Sequence, residues 1–204
     1  RHPLGLIRAW SLFQPDQRCL VYPEPAADAP PLRHAGDAQP GYAAQGLAGD
    51  IETWKALSLS IDRAGLTRAL LRDPEMAAVQ LFPPTMADWH RGDVPPLKYD
   101  SKQASELLAA AGWKTGSDGI LMRDGKRFEL TLRTYPDRPE LPPIATAIQD
   151  QLRKIGIAVH VKIGNSSEIP AGHRDGTLEL GLAARNFALV PDPLITLIDD
   201  YVDK

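Results

Sequence analysis

The stretch Ile144–Ile163, IATAIQDQLRKIGIAVHVKI, decides how the rest of the chain is read. Ile144, Ile148, Leu152 and Ile155 recur at steps of four, four and three, one apolar stripe of a 3.6-residue helix. Gly156 can end that helix in a left-handed conformation, and Arg153 and Lys154 stand in its last turn, where the helix dipole favours cations. Ile157, Val159, Val161 and Ile163 then alternate with Ala158, His160 and Lys162, the period of a strand with one buried face. A helix running straight into a strand is half of a βαβ unit.

Working outward, Pro142-Pro143 open the helix, since proline is tolerated in a first turn. Upstream, Ile120–Met122 and Phe128–Thr134 flank Arg123-Asp124-Gly125-Lys126, and an Asp-Gly pair between alternating runs predicts a hairpin. Asp100 is an N-cap for a helix over 101–111, with Ala104, Leu107, Leu108 and Ala111 inward and Gly112 as the stop. Trp54, Leu57, Ile61, Leu66, Leu70 and Leu71 predict one helix through 53–72, weakened at Gly65 and ended by Asp73-Pro74. Residues 74–98, with Pro83-Pro84 and Pro95-Pro96, read as a long irregular connection, a type of segment that is often functional. Downstream, Asn165–Asp175 is a polar connection with room for one helical turn, Leu178–Ala184 is a strand, and Leu194–Val202 starts another helix. The order β-β-α-β-(α)-β predicts an α/β fold, helices packed on a mixed sheet.

The whole chain has 204 residues, 43% of them apolar, enough for a real core. Its net charge of -3 offers no basic field, so no nucleic-acid partner is expected. Cys19 is the single cysteine, which excludes an internal disulfide and a cysteine-rich metal site. No run approaches the roughly 18 apolar residues of a membrane span, so no membrane insertion is expected. The start lacks an initiator methionine and a signal core, and reads as that of a mature product or a fragment. LGLIRAWSLF near the start is a short apolar segment, RCLVYP after it looks like one strand stopped by Pro23, and 23–50 read as a Pro/Ala/Gly-rich linker. A composition boundary near Asp50 divides an arm, 1–50, from an α/β lobe, 51–204.

Five segments carry a family likeness: ALSLSIDRAGLTRALL (56–71), YDSKQASELLAAAGW (99–113), DGILMRDGKRFELTLRTY (118–135), AIQDQLRKIGIAVHVK (147–162) and ARNFALVPDPLITL (184–197). In this order they resemble the C-terminal lobe of the family-5 extracellular solute-binding proteins of bacterial ABC importers, the oligopeptide, dipeptide and nickel group. The resemblance implies a periplasmic-binding-protein-like type II fold in which two lobes close on a ligand. It also implies a peptide or metal-chelate ligand, importer membrane subunits as partners, and a periplasmic or extracellular place, lipid-anchored or soluble. Most of the N-terminal lobe is missing from this sequence, so the piece supplies one wall of such a cleft. Residues 1–25, RHPLGLIRAWSLFQPDQRCLVYPEP, instead resemble part of a bacterial membrane-anchored family of unknown function. Two likenesses meeting near Asp50-Ile51 read as a fusion, with a divergent N-terminal extension as the alternative.

Within the solute-binding resemblance, Arg185-Asn186-Phe187-Ala188-Leu189-Val190-Pro191-Asp192-Pro193 lies on a loop that faces the cleft. Peptide-binding members carry an acid shortly before the Asp-Pro pair, and 187–191 hold none. Arg185 and Phe187 match the Arg-x-aromatic pattern of nickel-type members, although Pro191 stands where those have a tyrosine. The functional reading has Arg185 pairing with a ligand carboxylate and Phe187 stacking on the ligand body; the bland one has a solvated arginine and a core phenylalanine. Trp89, in the proline-rich connection, is the third ligand-binding candidate, whereas Trp54 and Trp113 read as core. Asp62-Arg63 reads as structural. His2, His34, His90, His160 and His173 show no ligand spacing; His160 reads as an exposed strand residue and His173 as a loop residue, with no metal and no cofactor expected. Ser58 and Ser60 lie in a helix without a supporting histidine, and no nucleophile elbow, phosphate loop or HExxH occurs, so catalysis is not expected.

The first functional expectation is a binding module, one lobe of an importer's solute-binding protein. The second is a non-catalytic scaffold whose 1–50 arm pairs with a partner. Light scattering of the chain and of a 51–204 truncation separates them: equal stability and a monomeric state for both removes an assembly role for the arm.

Overall fold

The computed structural model describes residues 51–72, 77–78, 98–175 and 177–184. The readings made for 1–50, for most of 74–98 and for 194–202 fall outside these residues.

The helix expected over 53–72 is two helices, α1 (Ile51–Leu59) and α2 (Arg63–Leu70). The break has a local cause. Asp62 caps α2 by accepting a hydrogen bond from the Gly65 amide at 2.8 Å, a bond that competes with continuing the first helix. Arg63 turns back, donating from Nη1 to the Ser58 carbonyl at 3.1 Å and from Nη2 to Ser58 Oγ at 3.2 Å. Burial of its guanidinium lowers the pKa to about 10. The Asp62 amide donates to Gln151 Oε1 at 2.9 Å, tying the break to a helix 89 positions along the chain. Gly65 is therefore not a weak point in a long helix. A Cβ there would lie 2.2 Å from Asp62 Oδ2, inside the cap. The apolar stripe also stops at the break: Trp54, Leu57 and Ile61 are buried, Leu66 and Leu71 are half-buried and Leu70 is exposed. Asp62→Ala should lower stability by about 1 kcal/mol, the usual cost of an N-cap, measured as a shift of the urea midpoint at constant slope.

Helix α3 (Ser101–Ala110) follows its sequence reading. Asp100 accepts from the Gln103 amide at 2.8 Å, and Ala104 and Leu108 are buried with Leu107 and Ala111 packed beside them. At its end Gly112 has φ +89°, Gly112 N bonds Ala109 O and Trp113 N bonds Leu108 O, the paired bonds of a Schellman stop.

Strands β1 (Lys114–Thr115), β2 (Leu121–Arg123) and β3 (Lys126–Arg127) form an antiparallel meander. Asp124 and Gly125 have φ of 52° and 75°, as a two-residue primed turn requires. The run 128–134 does not stay with this hairpin. At Phe128 it changes partners: the Phe128 amide donates to Leu121 O at 2.7 Å, while its carbonyl accepts from Ala158 N at 3.0 Å. From there β4 (Glu129–Thr134) belongs to a second sheet. Among the described residues the strands thus divide into an antiparallel sheet and a parallel one, with helices packed against them.

After β4 come α4 (Leu141–Lys154), β5 (Ala158–Ile163), α5 (Glu168–Arg174) and β6 (Leu180–Gly181). Helix α4 buries Ile144, Ile148 and Leu152 of the stripe read from sequence, together with Leu141 and Ala145, while Ile155, its C-cap, is half-buried. It too ends in a Schellman stop, Gly156 N to Arg153 O and Ile157 N to Leu152 O. Strand β5 pairs parallel with β4 from Glu129↔Ala158 to Thr134↔Ile163, completing the βαβ unit. His160 is exposed, as expected; His173 falls within α5 and not in a loop. The strand expected over Leu178–Ala184 has a ladder of only two residues, although Leu178, Leu180 and Leu182 are all buried.

Trp113 joins the layers. Its ring stacks on Phe128 with centroids 4.2 Å apart, the Arg123 guanidinium lies 4.4 Å from its centroid, and its Nε1 donates to Thr53 Oγ1 of α1 at 3.2 Å. Trp54 and Trp113 are both core residues.

Candidate functional site

The parallel sheet has the order β5-β4-β6. Helix α4 carries the chain from β4 to one side, and α5 then returns it to the other side of β4. Connections that diverge in this way open a crevice at the carboxyl ends of the strands, where ligands of open α/β sheets bind. Those ends are Thr134, Ile163 and Gly181.

The backbone at this edge is held beyond the ladders. On one side the Gly164 amide donates to Thr134 O at 2.9 Å. On the other, Leu182 N donates to Arg133 O at 2.9 Å, Thr134 Oγ1 donates to Leu182 O at 3.0 Å, and Ala184 N donates to the Tyr135 hydroxyl at 3.0 Å. Both hydroxyl-bearing side chains are buried, so the bonds are shielded from water and leaving one unmade is costly.

Charged side chains nearby bond to local partners, and among their atoms Arg133 Nε is buried with no hydrogen-bond partner among the described residues. Arg133 Nη2 donates to Thr177 O at 2.8 Å and to Thr177 Oγ1 at 3.1 Å, bracing the loop before β6. Glu168 accepts from Lys162 Nζ at 2.9 Å and from the Asn165 amide at 3.0 Å. The lysine bond first, then the amide, holds the Glu168 carboxyl below the usual carboxylate range. Glu179 Oε2 accepts from Thr131 N at 2.7 Å, where β6 has not yet begun to pair with β4.

The apolar face of β5 departs from its sequence reading. Ile157 and Val159 are buried, Val161 is half-buried, and Ile163 is 53% exposed at the carboxyl end. The strand rises out of the core toward its carboxyl end, leaving apolar surface there. Apolar surface beside a few fixed polar groups holds a ligand body and orients it. Among the described residues no three His, Cys, Asp or Glu side chains converge to hold a metal ion.

Arg185, Phe187 and Trp89, the ligand contacts read from sequence, lie outside the described residues. The last described residue of this edge is Ala184, immediately before Arg185 in the sequence. Sequence reasoning missed Thr134 and Tyr135. The available signal was a threonine on the buried face of an apolar strand, where a hydroxyl needs a partner.

A family model described as "Bacterial extracellular solute-binding proteins, family 5 Middle" matches residues 43–199. The oligopeptide-binding protein AppA of Bacillus subtilis (strain 168) is 39% identical over 119 residues, which are 56% of this chain and 21% of AppA. The structure of AppA in complex with a nonapeptide superposes with a TM-score of 0.59 at 29% identity, covering 70% of this chain and 29% of that one. NikZ from Campylobacter jejuni, in complex with Ni(L-His), shares the fold with a TM-score of 0.63 at 24% identity over 78% of this chain and 31% of its own. The chain spans about a fifth of the length of the AppA relative that it matches. No described helix is long and apolar enough to cross a membrane.

Proposed function

The chain belongs to the bacterial extracellular solute-binding proteins of family 5, and on that premise we propose that it forms one wall of a cleft that captures peptides for an ABC importer. The observation that carries the peptide reading is the 39% identity to an oligopeptide-binding protein. The exposed Ile163 at the carboxyl edge supports it, because a cleft taking peptides of varied sequence needs apolar surface beside backbone-scale polar groups. Arg185, Phe187 and Trp89 are the proposed ligand contacts. Arg185 pairs with a ligand carboxylate, and the aromatic rings pack on the ligand body. The importer's membrane subunits are the proposed partners, and the place of action is outside the cytoplasm.

The role is that of a binding protein, with no bond made or broken. Affinity comes from enclosure between two lobes, so one wall alone has few ways to desolvate a ligand. Trialanine titrated into the chain should give dissociation constants of about a millimolar or weaker. In nitrogen-15 correlation spectra the shifted amides should be those of the crevice, Gly164 and Leu182–Ala184 among them. Shifts confined to other faces, or micromolar heats by calorimetry, would overturn the one-wall reading.

The Arg185-x-Phe187 pattern favours a second ligand class, a small metal chelate. A nickel–histidine complex in the same titration separates the two: shifts with the chelate and none with trialanine select the chelate.

A further inference from the structure

The ladder between β6 and β4 covers only Leu132↔Leu180 and Arg133↔Gly181. Three more residues, 182–184, nevertheless follow β4 past its end. Among the described residues, their contact with β4 is made by one backbone bond, Leu182 N to Arg133 O, and by two side-chain hydroxyls from consecutive residues, and Ala183 also takes part in a β-bridge. Successive side chains on a strand point to opposite faces, so adjacent hydroxyls both reaching one neighbouring chain is not the default geometry. Here it arises because Tyr135 is the first residue after β4, free of the pleat, and turns its long side chain to the Ala184 amide. Thr134 is 2% exposed and Tyr135 is 9% exposed. Leu182, whose carbonyl Thr134 engages, is fully buried.

We propose that Thr134 and Tyr135 are positioning residues, two hydroxyls that latch 182–184 to β4 and so fix the backbone that immediately precedes Arg185 in the sequence. The latch lies in the described part of the molecule. Its consequence for ligand binding rests on the ligand-cleft reading above. Beside the backbone bond at Leu182, the two hydroxyl bonds make the attachment of 182–184 to β4 depend on single side chains.

The test uses the whole chain and three variants, Tyr135→Phe, Thr134→Val and Thr134→Ser, followed by amide hydrogen exchange and by trialanine titration. Tyr135→Phe should speed exchange at Ala184 by about tenfold, the scale of one lost hydrogen bond, while Gly164 on the opposite side of β4 is unchanged. Thr134→Val should loosen 182–184 in the same way, and Thr134→Ser, which keeps the hydroxyl, should restore the parent behaviour. Trialanine-dependent shifts at Ala183 and Ala184 should weaken in Tyr135→Phe and Thr134→Val only. Unchanged exchange at Ala184, or acceleration at Gly164 equal to that at Ala184, overturns the latch. Peptide shifts that persist undiminished in the loosened variants overturn its positioning role. If the parent shows the local exchange pattern but no response to trialanine, the latch stands and the peptide reading fails.

Discussion

Phe128→Ala should lower the free energy of unfolding by about 3–5 kcal/mol, the range for deleting a fully buried aromatic ring. Against a typical domain stability of about 5–15 kcal/mol this is a large part of the total. Phe128 is 0% exposed and stacks on Trp113. Its removal takes away that ring's aromatic face partner, leaving the Arg123 guanidinium over it, and leaves a cavity in the core. The position adds to the cost. Phe128 is the residue at which the chain passes from one sheet to the other, with its amide bonded to Leu121 and its carbonyl to Ala158. Those bonds survive the substitution, but the packing of the buried ring beside them does not. Urea denaturation followed by tryptophan fluorescence measures the loss. Phe128→Leu, which keeps most of the volume, should cost clearly less. A loss below about 1 kcal/mol for Phe128→Ala would mean that the ring is not part of the core described here.

Gly156→Ala should cost about 2–4 kcal/mol, from two separable causes. The backbone at Gly156 has φ +86°, a left-handed conformation that penalises any Cβ by roughly 1–2 kcal/mol. A Cβ there would also meet Gly119 O and Leu121 Cγ, each at 3.0 Å. The first is a backbone oxygen with little room to yield, because Gly156 O is itself bonded to Leu121 N at 2.8 Å. Gly119 supplies the control. Its φ is +80°, yet nothing lies within 4 Å of the Cβ it would carry. Gly119→Ala therefore isolates the conformational term, and the difference between the two variants measures the close approach of the helix stop to the hairpin. Equal losses for the two would show that this approach contributes nothing.

The sequence reading succeeded where the determinants are near neighbours. The stripe of α4, the caps at Asp100, the stops at Gly112 and Gly156 and the Asp124-Gly125 turn all involve residues within a few positions of each other. The break between α1 and α2 is also local, since Asp62, Gly65, Arg63 and Ser58 make it. The apolar stripe through 53–72 runs across it, and periodicity alone does not register a cap in the middle of a stripe. The family likeness was legible because five such local patterns occur in a fixed order, and the match over 43–199 places the chain in that family.

What one residue does at long range was not legible. The alternation of β5 gives no hint that Ile163 emerges while Val159 is buried, because that depends on where the neighbouring layers end. Phe128 reads as an ordinary strand residue, and its exchange of partners exists only once Leu121 and Ala158 are brought to its two sides. Thr134 and Tyr135 meet Leu182 and Ala184 across 48 and 49 positions of chain.

The order of the Ile144–Ile163 unit, helix, glycine stop and strand, was settled by residue type and spacing, because helix and strand periodicities and chain stops are short-range properties of the backbone. Which strand lies beside which, where an apolar face comes to the surface, and which hydroxyls hold the edge at Ala184 were settled by tertiary structure. Those depend on hydrogen bonds and packing between segments whose separation along the chain leaves no local mark.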